Sequence, residues 1–280
     1  MTRLPEYLKR NIIDNEQTKN VRRILKSKCL NTVCDGARCP NKNECYGHNT
    51  ATFLIMGNAC TRNCKYCNIA FSKPEPLDLD EPKHIAEAVA ELGLKYVVIT
   101  SVTRDDLPDG GARHFANCIK EIRALSKDIK IEILTPDFRK KDGALDIIID
   151  SSPDVFNHNI ETTRNIFKIA RPLGDYDLSL QVLRYIKENS NIKTKSGLMV
   201  GLGETVEDIE STLVDLKNVN CDILTVGQYI QPSKKHLDVN KYYSLTEFDA
   251  IKLLAQKIGL KKSQIGPLVR SSYNAKLLNA

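Results

Sequence analysis

The sequence predicts an α/β fold: a partial (βα)6 TIM-like barrel with N-terminal and C-terminal extensions. Between Thr52 and Tyr229, six short β-rich runs alternate with six stretches of helical periodicity, the signature of consecutive βα units. That span holds 178 residues, roughly 30 per unit, which suits a βαβ crossover, whereas a closed eight-unit barrel usually takes about 250. On either side the texture changes, from a basic, irregular stretch before residue 50 to a basic, polar one after Pro232. The expected organisation is therefore residues 1–50 as an N-terminal extension, 51–232 as the partial barrel and 233–280 as a C-terminal extension.

The expected strands are Thr52–Met56, Lys95–Thr100, Lys130–Leu134, Asp154–His158, Lys195–Val200 and Ile223–Tyr229, each a short run rich in β-branched or aromatic residues. The intervening helices are expected at Pro82–Leu92, Ala112–Lys127, Gly143–Asp150, Thr162–Ile169, Asp177–Asn189 and Thr205–Val219, where apolar residues recur at helical spacing. A further helix, Thr246–Ile258, has Ser244 or Thr246 available as its cap. The N-terminal stretch, with Lys9, Arg10, Lys19, Arg22, Arg23, Lys26 and Lys28 around a few apolar positions, is not expected to form a core of its own.

The 280 residues are 41% hydrophobic and 27% charged, a globular rather than a disordered composition, and are enough to bury a sizeable core without staples. No apolar run approaches the ~20 residues of a membrane span, and Met1 to Arg10 lack the apolar centre of a secretory signal or the look of a transit segment. A cytoplasmic protein is expected, with no membrane partner. The net charge of +6 keeps a zinc-stabilised nucleic-acid-binding module open as an alternative. Neither a Cys2His2 spacing nor an RNA-recognition aromatic motif supports it, and no nucleic-acid partner is expected.

Nine cysteines are too few for a disulfide scaffold, yet six lie between Cys34 and Cys67, which in a reducing compartment points to metal. Cys60, Cys64 and Cys67 form a CxxxCxxC just after the first strand, at the strand end where barrel enzymes keep their chemistry. Close spacing lets one loop reach several corners of a cubane iron–sulfur cluster, and three thiolates leave one iron open. Structural zinc would ask for four closed ligands. The other triplet, Cys34, Cys39 and Cys45, lacks a fourth thiolate within its spacing; His48, Cys29 or a serine of the tail are the candidates, and a Cys3His zinc site stays possible. Cys118 and Cys221 fall within element patterns and are expected to be buried apolar residues.

The CxxxCxxC with Tyr66 before its last cysteine, followed by a six-unit βα array, resembles the radical S-adenosylmethionine superfamily. Adding Cys34/Cys39/Cys45 and the terminal Arg270-Ser271-Ser272-Tyr273, the chain is similar to the lipoyl synthase family over about residues 30–275. Supporting stretches are residues 96–107 (YVVITSVTRDDL), 153–159 (PDVFNHN) and 194–205 (TKSGLMVGLGET).

The resemblance implies two 4Fe-4S clusters and S-adenosylmethionine as cofactors. Cys60, Cys64 and Cys67 would hold the cluster whose open iron chelates S-adenosylmethionine, from which a 5′-deoxyadenosyl radical is released. Cys34, Cys39 and Cys45 would hold an auxiliary cluster that is sacrificed as sulfur donor, with Ser272 as its fourth ligand and Ser271 as the fallback. Two sulfur atoms would enter at C6 and C8 of an octanoyl chain carried on a lysine of a lipoyl domain. The implied partners are octanoylated carrier domains (2-oxoacid dehydrogenase acyltransferase subunits and the glycine cleavage H protein), an electron donor such as flavodoxin or ferredoxin, and iron–sulfur carrier proteins. A second reading within the superfamily is a sulfur-inserting enzyme for a small molecule or an RNA base.

Further expected cofactor contacts are Tyr66, Gly110, Gly111, Asn159, Arg171 and Gly201. Gly110-Gly111 after a Pro-Asp could equally be an ordinary turn, and Gly201-Leu202-Gly203 a tight strand-to-helix turn. Asn157, His158 and Asn159 end the fourth strand, where polar groups face the site in such folds, or else cap the loop. Lys193, Lys195, Lys234, Lys235 and the basic N-terminal stretch could steer an acidic carrier domain, or form a solvated face.

Overall fold

The structure, a computed structural model, describes residues 4–10 and 15–278. The chain forms two compact units, one of residues 11–62 and 69–156, the other of residues 1–10, 63–68 and 157–280.

The first unit begins with α1 (Glu16–Ser27), whose cap Asn15 accepts from the Thr18 backbone N–H. Val21, Ile24 and Leu25 are buried on one face of α1, so the lysines and arginines that gave this stretch its irregular look are the helix's outer side. Next come β1 (Asn31–Thr32), α2 (Val33–Gly36) and α3 (Lys42–Gly47). The fully buried Tyr46 sends its hydroxyl to Asp35 at 2.6 Å. Residues 15–48 thus form short helices with buried apolar faces where the sequence reads as irregular.

The βα alternation follows. β2 (Thr52–Ile55) leads through the two-residue strands β3 (Ala59–Cys60) and β4 (Ala70–Phe71) to α4 (Glu81–Leu92), then β5 (Tyr96–Ser101), α5 (Ala112–Leu125), β6 (Lys130–Leu134), α6 (Ala144–Ser151) and β7 (Val155–Asn157). β2, β5 and β6 pair in parallel, while β1 adds to β2 antiparallel, making the sheet mixed. Val97, Val98, Ile99, Ile131 and Ile133 are buried, the near-continuous apolar runs that parallel strands covered on both faces require.

The second unit continues with α7 (Arg164–Ala170), α8 (Tyr176–Asn189), β8 (Lys193–Val200), α9 (Val206–Asn218), β9 (Ile223–Gln228), α10 (Leu245–Ile258) and β10 (Lys262–Ile265). β8, β9 and β10 are parallel neighbours. β10 was not expected from the sequence, because Lys262-Ser263-Gln264-Ile265 has one β-branched residue and no alternation; its register against Ile223–Val226 supplies the strand. The expected helices and the six expected strands lie within a few residues of their expected bounds. Among the described residues no helix is long and apolar enough to cross a membrane.

Two capping boxes start the last long helices, Thr205 with Asp208 on α9 and Ser244 with Glu247 on α10. The Lys241 ammonium, with the Ser244 backbone N–H and hydroxyl, lowers the Glu247 carboxyl to about 2. Its contribution to stability is therefore present above the unfolded value and is lost as pH falls towards about 2; partial exposure of the pair limits its size. Ser244→Ala removes the side-chain acceptor at the cap, and we expect it to lower folding stability by about 1 kcal/mol, read as a lower urea midpoint at unchanged slope. An unchanged midpoint would show that α10 is held by packing alone.

Candidate metal centres

All nine cysteines are free thiols. In the first unit, Cys34 lies on α2, Cys39 follows it in the loop and Cys45 is on α3. The loop is tied at its start, where the Cys39 N–H donates to the Cys34 carbonyl at 3.1 Å. Burial pushes the Cys34 thiol up to about 12, opposed by the Thr52 backbone N–H and reinforced by the neighbouring Cys39 and Cys45 thiols. Cys39 and Cys45 keep partial exposure. His48, a candidate fourth ligand, donates its Nδ1 hydrogen to the Glu44 carbonyl at 2.9 Å and is exposed. Cys29, the other nearby candidate, is exposed and has a left-handed backbone, φ 53°.

Cys60 ends β3 in the same unit. Its Sγ accepts backbone N–H groups from Thr103 at 3.3 Å and Arg62 at 3.4 Å, which fixes the sulfur's position at the start of the loop. The turn is held by Thr61, which bonds the Thr103 carbonyl through N–H and hydroxyl. Sequence reasoning missed the next contact: the buried Arg62 guanidinium makes a bidentate pair with Asp105 at 2.8 Å and reaches the buried Asp137 at 2.7 Å. Burial opposes ionisation of Asp105, but Arg62 and Thr61 hold its carboxyl below the usual carboxylate range. The signal was present in Thr103-Arg104-Asp105-Asp106, but nothing local pairs it with an arginine 43 residues away.

Gly110 and Gly111 have positive φ, 63° and 91°, and start α5 with the Gly111 N–H bonded to Asp109. They form the tight turn that their sequence allowed.

Cys64, Tyr66 and Cys67 lie in the second unit. The Cys67 N–H donates to the Cys64 carbonyl at 3.1 Å, Lys65 bonds to the Ala170 and Leu237 backbones, and His236 Nε2 donates to the Cys67 carbonyl at 3.0 Å. Tyr66 is half-buried, and burial raises its hydroxyl far above the usual phenol range. Glu161, Cys64 and Cys67 add to that rise, while Arg171 opposes it. Glu161, not singled out in the sequence, is likewise raised by burial, against Arg171 and hydrogen bonds from the Asn159 and Tyr66 side chains. The structure thus brings together Cys64, Tyr66, Cys67, Asn159, Glu161 and Arg171. The available signal for Glu161 was its position two residues beyond Asn159 on the strand-end segment.

Gly201, at the end of β8 with φ 108°, donates its N–H to Glu204. Ser271 and Ser272 occupy a half-buried turn, and the Ser271 hydroxyl donates to Asn159 Oδ1 at 2.8 Å. Among the described residues no three His, Cys, Asp or Glu side chains gather as they would around one metal ion. A cubane instead takes one thiolate at each iron corner. Cysteines outside any disulfide, with two backbone N–H groups at Cys60 Sγ, fit that donor set.

The sequence model described as the Radical SAM superfamily matches residues 54–216. The chain is 49% identical over 275 residues to a lipoyl synthase of Thioalkalivibrio sulfidiphilus, covering 98% of this chain and 86% of that one. It is 52% identical over 278 residues to a lipoyl synthase of Pseudoalteromonas translucida, covering 98% and 87%. Among solved structures it resembles Streptococcus suis SuiB bound to S-adenosylmethionine, with TM-score 0.58, 16% identity and coverage of 78% of this chain and 51% of that one. It also resembles HydG, a maturase of the [FeFe]-hydrogenase, with TM-score 0.59, 15% identity and coverage of 89% and 56%. At such identity these two likenesses concern the fold alone.

The buried Arg62–Asp137 pair should be hard to break from one side. Arg62→Met leaves Asp137 without that cation in a buried place, and we expect a loss of about 3–5 kcal/mol in urea unfolding. A loss below about 1 kcal/mol would mean that the pair holds nothing in place.

Proposed function

Because the chain belongs to the lipoyl synthase family of the radical S-adenosylmethionine superfamily, we propose that its six clustered cysteines divide between two 4Fe-4S clusters. The reaction is the insertion of two sulfur atoms at C6 and C8 of a protein-bound octanoyl chain, which makes the lipoyl cofactor, with S-adenosylmethionine and iron–sulfur chemistry. The observation that carries the division is the pair of cysteine triplets outside any disulfide, one wholly within residues 34–45 and the other within eight consecutive residues.

Cys60, Cys64 and Cys67 would hold the cluster that binds S-adenosylmethionine. Cys34, Cys39, Cys45 and Ser272 would hold the auxiliary cluster, sacrificed as sulfur donor. When bound, these groups supply what side chains cannot, one-electron reduction of a sulfonium and removal of hydrogen from an unactivated C–H bond. General acid–base catalysis has no purchase there, since neither carbon bears an acidic proton.

The chain's own residues bind and orient. Arg171, buried beside Glu161, provides fixed positive charge for a carboxylate. Asn159, Tyr66 and the backbone at Gly201, with Gly110 and Gly111, would contact the cofactor. Burial keeps the Tyr66 hydroxyl protonated, so it acts as a hydrogen-bond donor and not as a base. Residues 1–50 would serve as the auxiliary-cluster segment, 51–232 as the partial (βα)6 barrel and 233–280 as the extension that brings the serine.

The substrates are lipoyl-carrier proteins. We take 2-oxoacid dehydrogenase acyltransferase subunits and the glycine cleavage H protein as the carriers, flavodoxin or ferredoxin as electron donor and iron–sulfur carrier proteins as the source of repair. A cytoplasmic setting suits thiols that must stay reduced.

The division of roles is tested by paired substitutions. Cys39→Ala should keep reductive cleavage of S-adenosylmethionine and abolish sulfur transfer to an octanoyl carrier peptide, while Cys64→Ala should abolish both. Equal loss of cleavage in the two variants would contradict the assignment. For Ser272→Ala, lipoyl product should fall while cleavage persists; full lipoyl formation would move the ligand away from Ser272.

A further inference from the structure

The tail Arg270-Ser271-Ser272-Tyr273 sits on two strands of its own unit at positions where only glycine fits. A Cβ on Gly197 of β8 would lie 2.5 Å from Ser271 Oγ and 2.6 Å from Asn159 Oδ1. On Gly227 of β9, a Cβ would run into the Val269 carbonyl. The approach is pinned by backbone bonds from Gly266 to Val226 and from Gln228 to Pro267, and by Tyr273 bonding to Arg270. Two strand glycines thus form the floor on which this segment rests.

The Ser271 hydroxyl then meets Asn159 at 2.8 Å. A primary amide has one acceptor end and one donor end. With Oδ1 taken by Ser271, the amide group turns its hydrogens to Glu161, which also accepts from Tyr66 between Cys64 and Cys67. The bonds at its two ends therefore hold the amide between Ser271 and Glu161.

We propose that Ser271 is a positioning residue that couples the seating of the C-terminal tail to the Cys64–Cys67 turn through Asn159 and Glu161. Its hydroxyl engages the strand end while its neighbour Ser272 stays available to the auxiliary cluster, a consequence that rests on the reading of Ser272 given above. The coupling itself needs no cluster. By reciprocity, whatever fastens one end strengthens the other.

The test is amide hydrogen exchange on the full chain, without clusters and after anaerobic reconstitution. In Ser271→Ala, exchange at 266–275 should rise about fivefold, the size expected for one lost hydrogen bond of about 1 kcal/mol, with a smaller rise at 63–68. Ser271→Thr keeps the hydroxyl and should restore both. Asn159→Asp keeps the acceptor for Ser271 but removes the amide hydrogens directed at Glu161, so 63–68 should loosen while 266–275 stays protected. A tail that loosens in Ser271→Ala with 63–68 unchanged would make Ser271 a mere anchor and overturn the coupling, as would no change in either segment. The Ser272 reading stands or falls separately, on lipoyl formation by Ser272→Ala.

Discussion

A guanidinium buried between two carboxylates fixes the ground on which the cysteine loop starts. Arg62 reaches Asp105 and Asp137, and only a planar fork with several donors can serve both at once. The main chain that carries it also presents its N–H to Cys60, as does Thr103, two residues before Asp105. Position and electrostatics therefore come from one network: the ion pair holds the loop, and the loop aims backbone dipoles at sulfur. A loop of this kind has no hydrophobic core of its own, so without such a pair it would lack a fixed shape.

The second unit solves the matching problem with hydrogen bonds and absent side chains. Cys64 and Cys67 hang from a turn tied to Ala170, Leu237 and His236. Tyr66 between them joins Glu161, Asn159 and Arg171, and burial raises both the carboxyl and the phenol. Gly197 and Gly227 let the tail come down onto β8 and β9. The 270–273 motif thus rests on strands of the same unit that holds Cys64 and Cys67.

The parallel strands and their helices were legible in the sequence because burial on both faces writes itself as apolar runs. The six clustered cysteines stand out by their short spacing, which is the spacing that thiolate ligands of a cluster would ask for. Much less was visible elsewhere. The N-terminal segment hid an amphipathic helix behind its lysines and arginines, and β10, Lys262–Ile265, is a strand by pairing and not by composition. Arg62 and Ser271 acquire their meaning from partners 43 to 112 residues away, contacts that no local pattern encodes.

The central claim is that one chain holds two separate cubanes on two separate triplets. Iron and acid-labile sulfide, measured after anaerobic reconstitution in wild type and in the Cys34→Ala/Cys39→Ala/Cys45→Ala variant, address it directly. About eight irons with matching sulfide falling to about four is the predicted result for two Cys-ligated clusters. Zinc without sulfide, or an unchanged iron count in the variant, would contradict it.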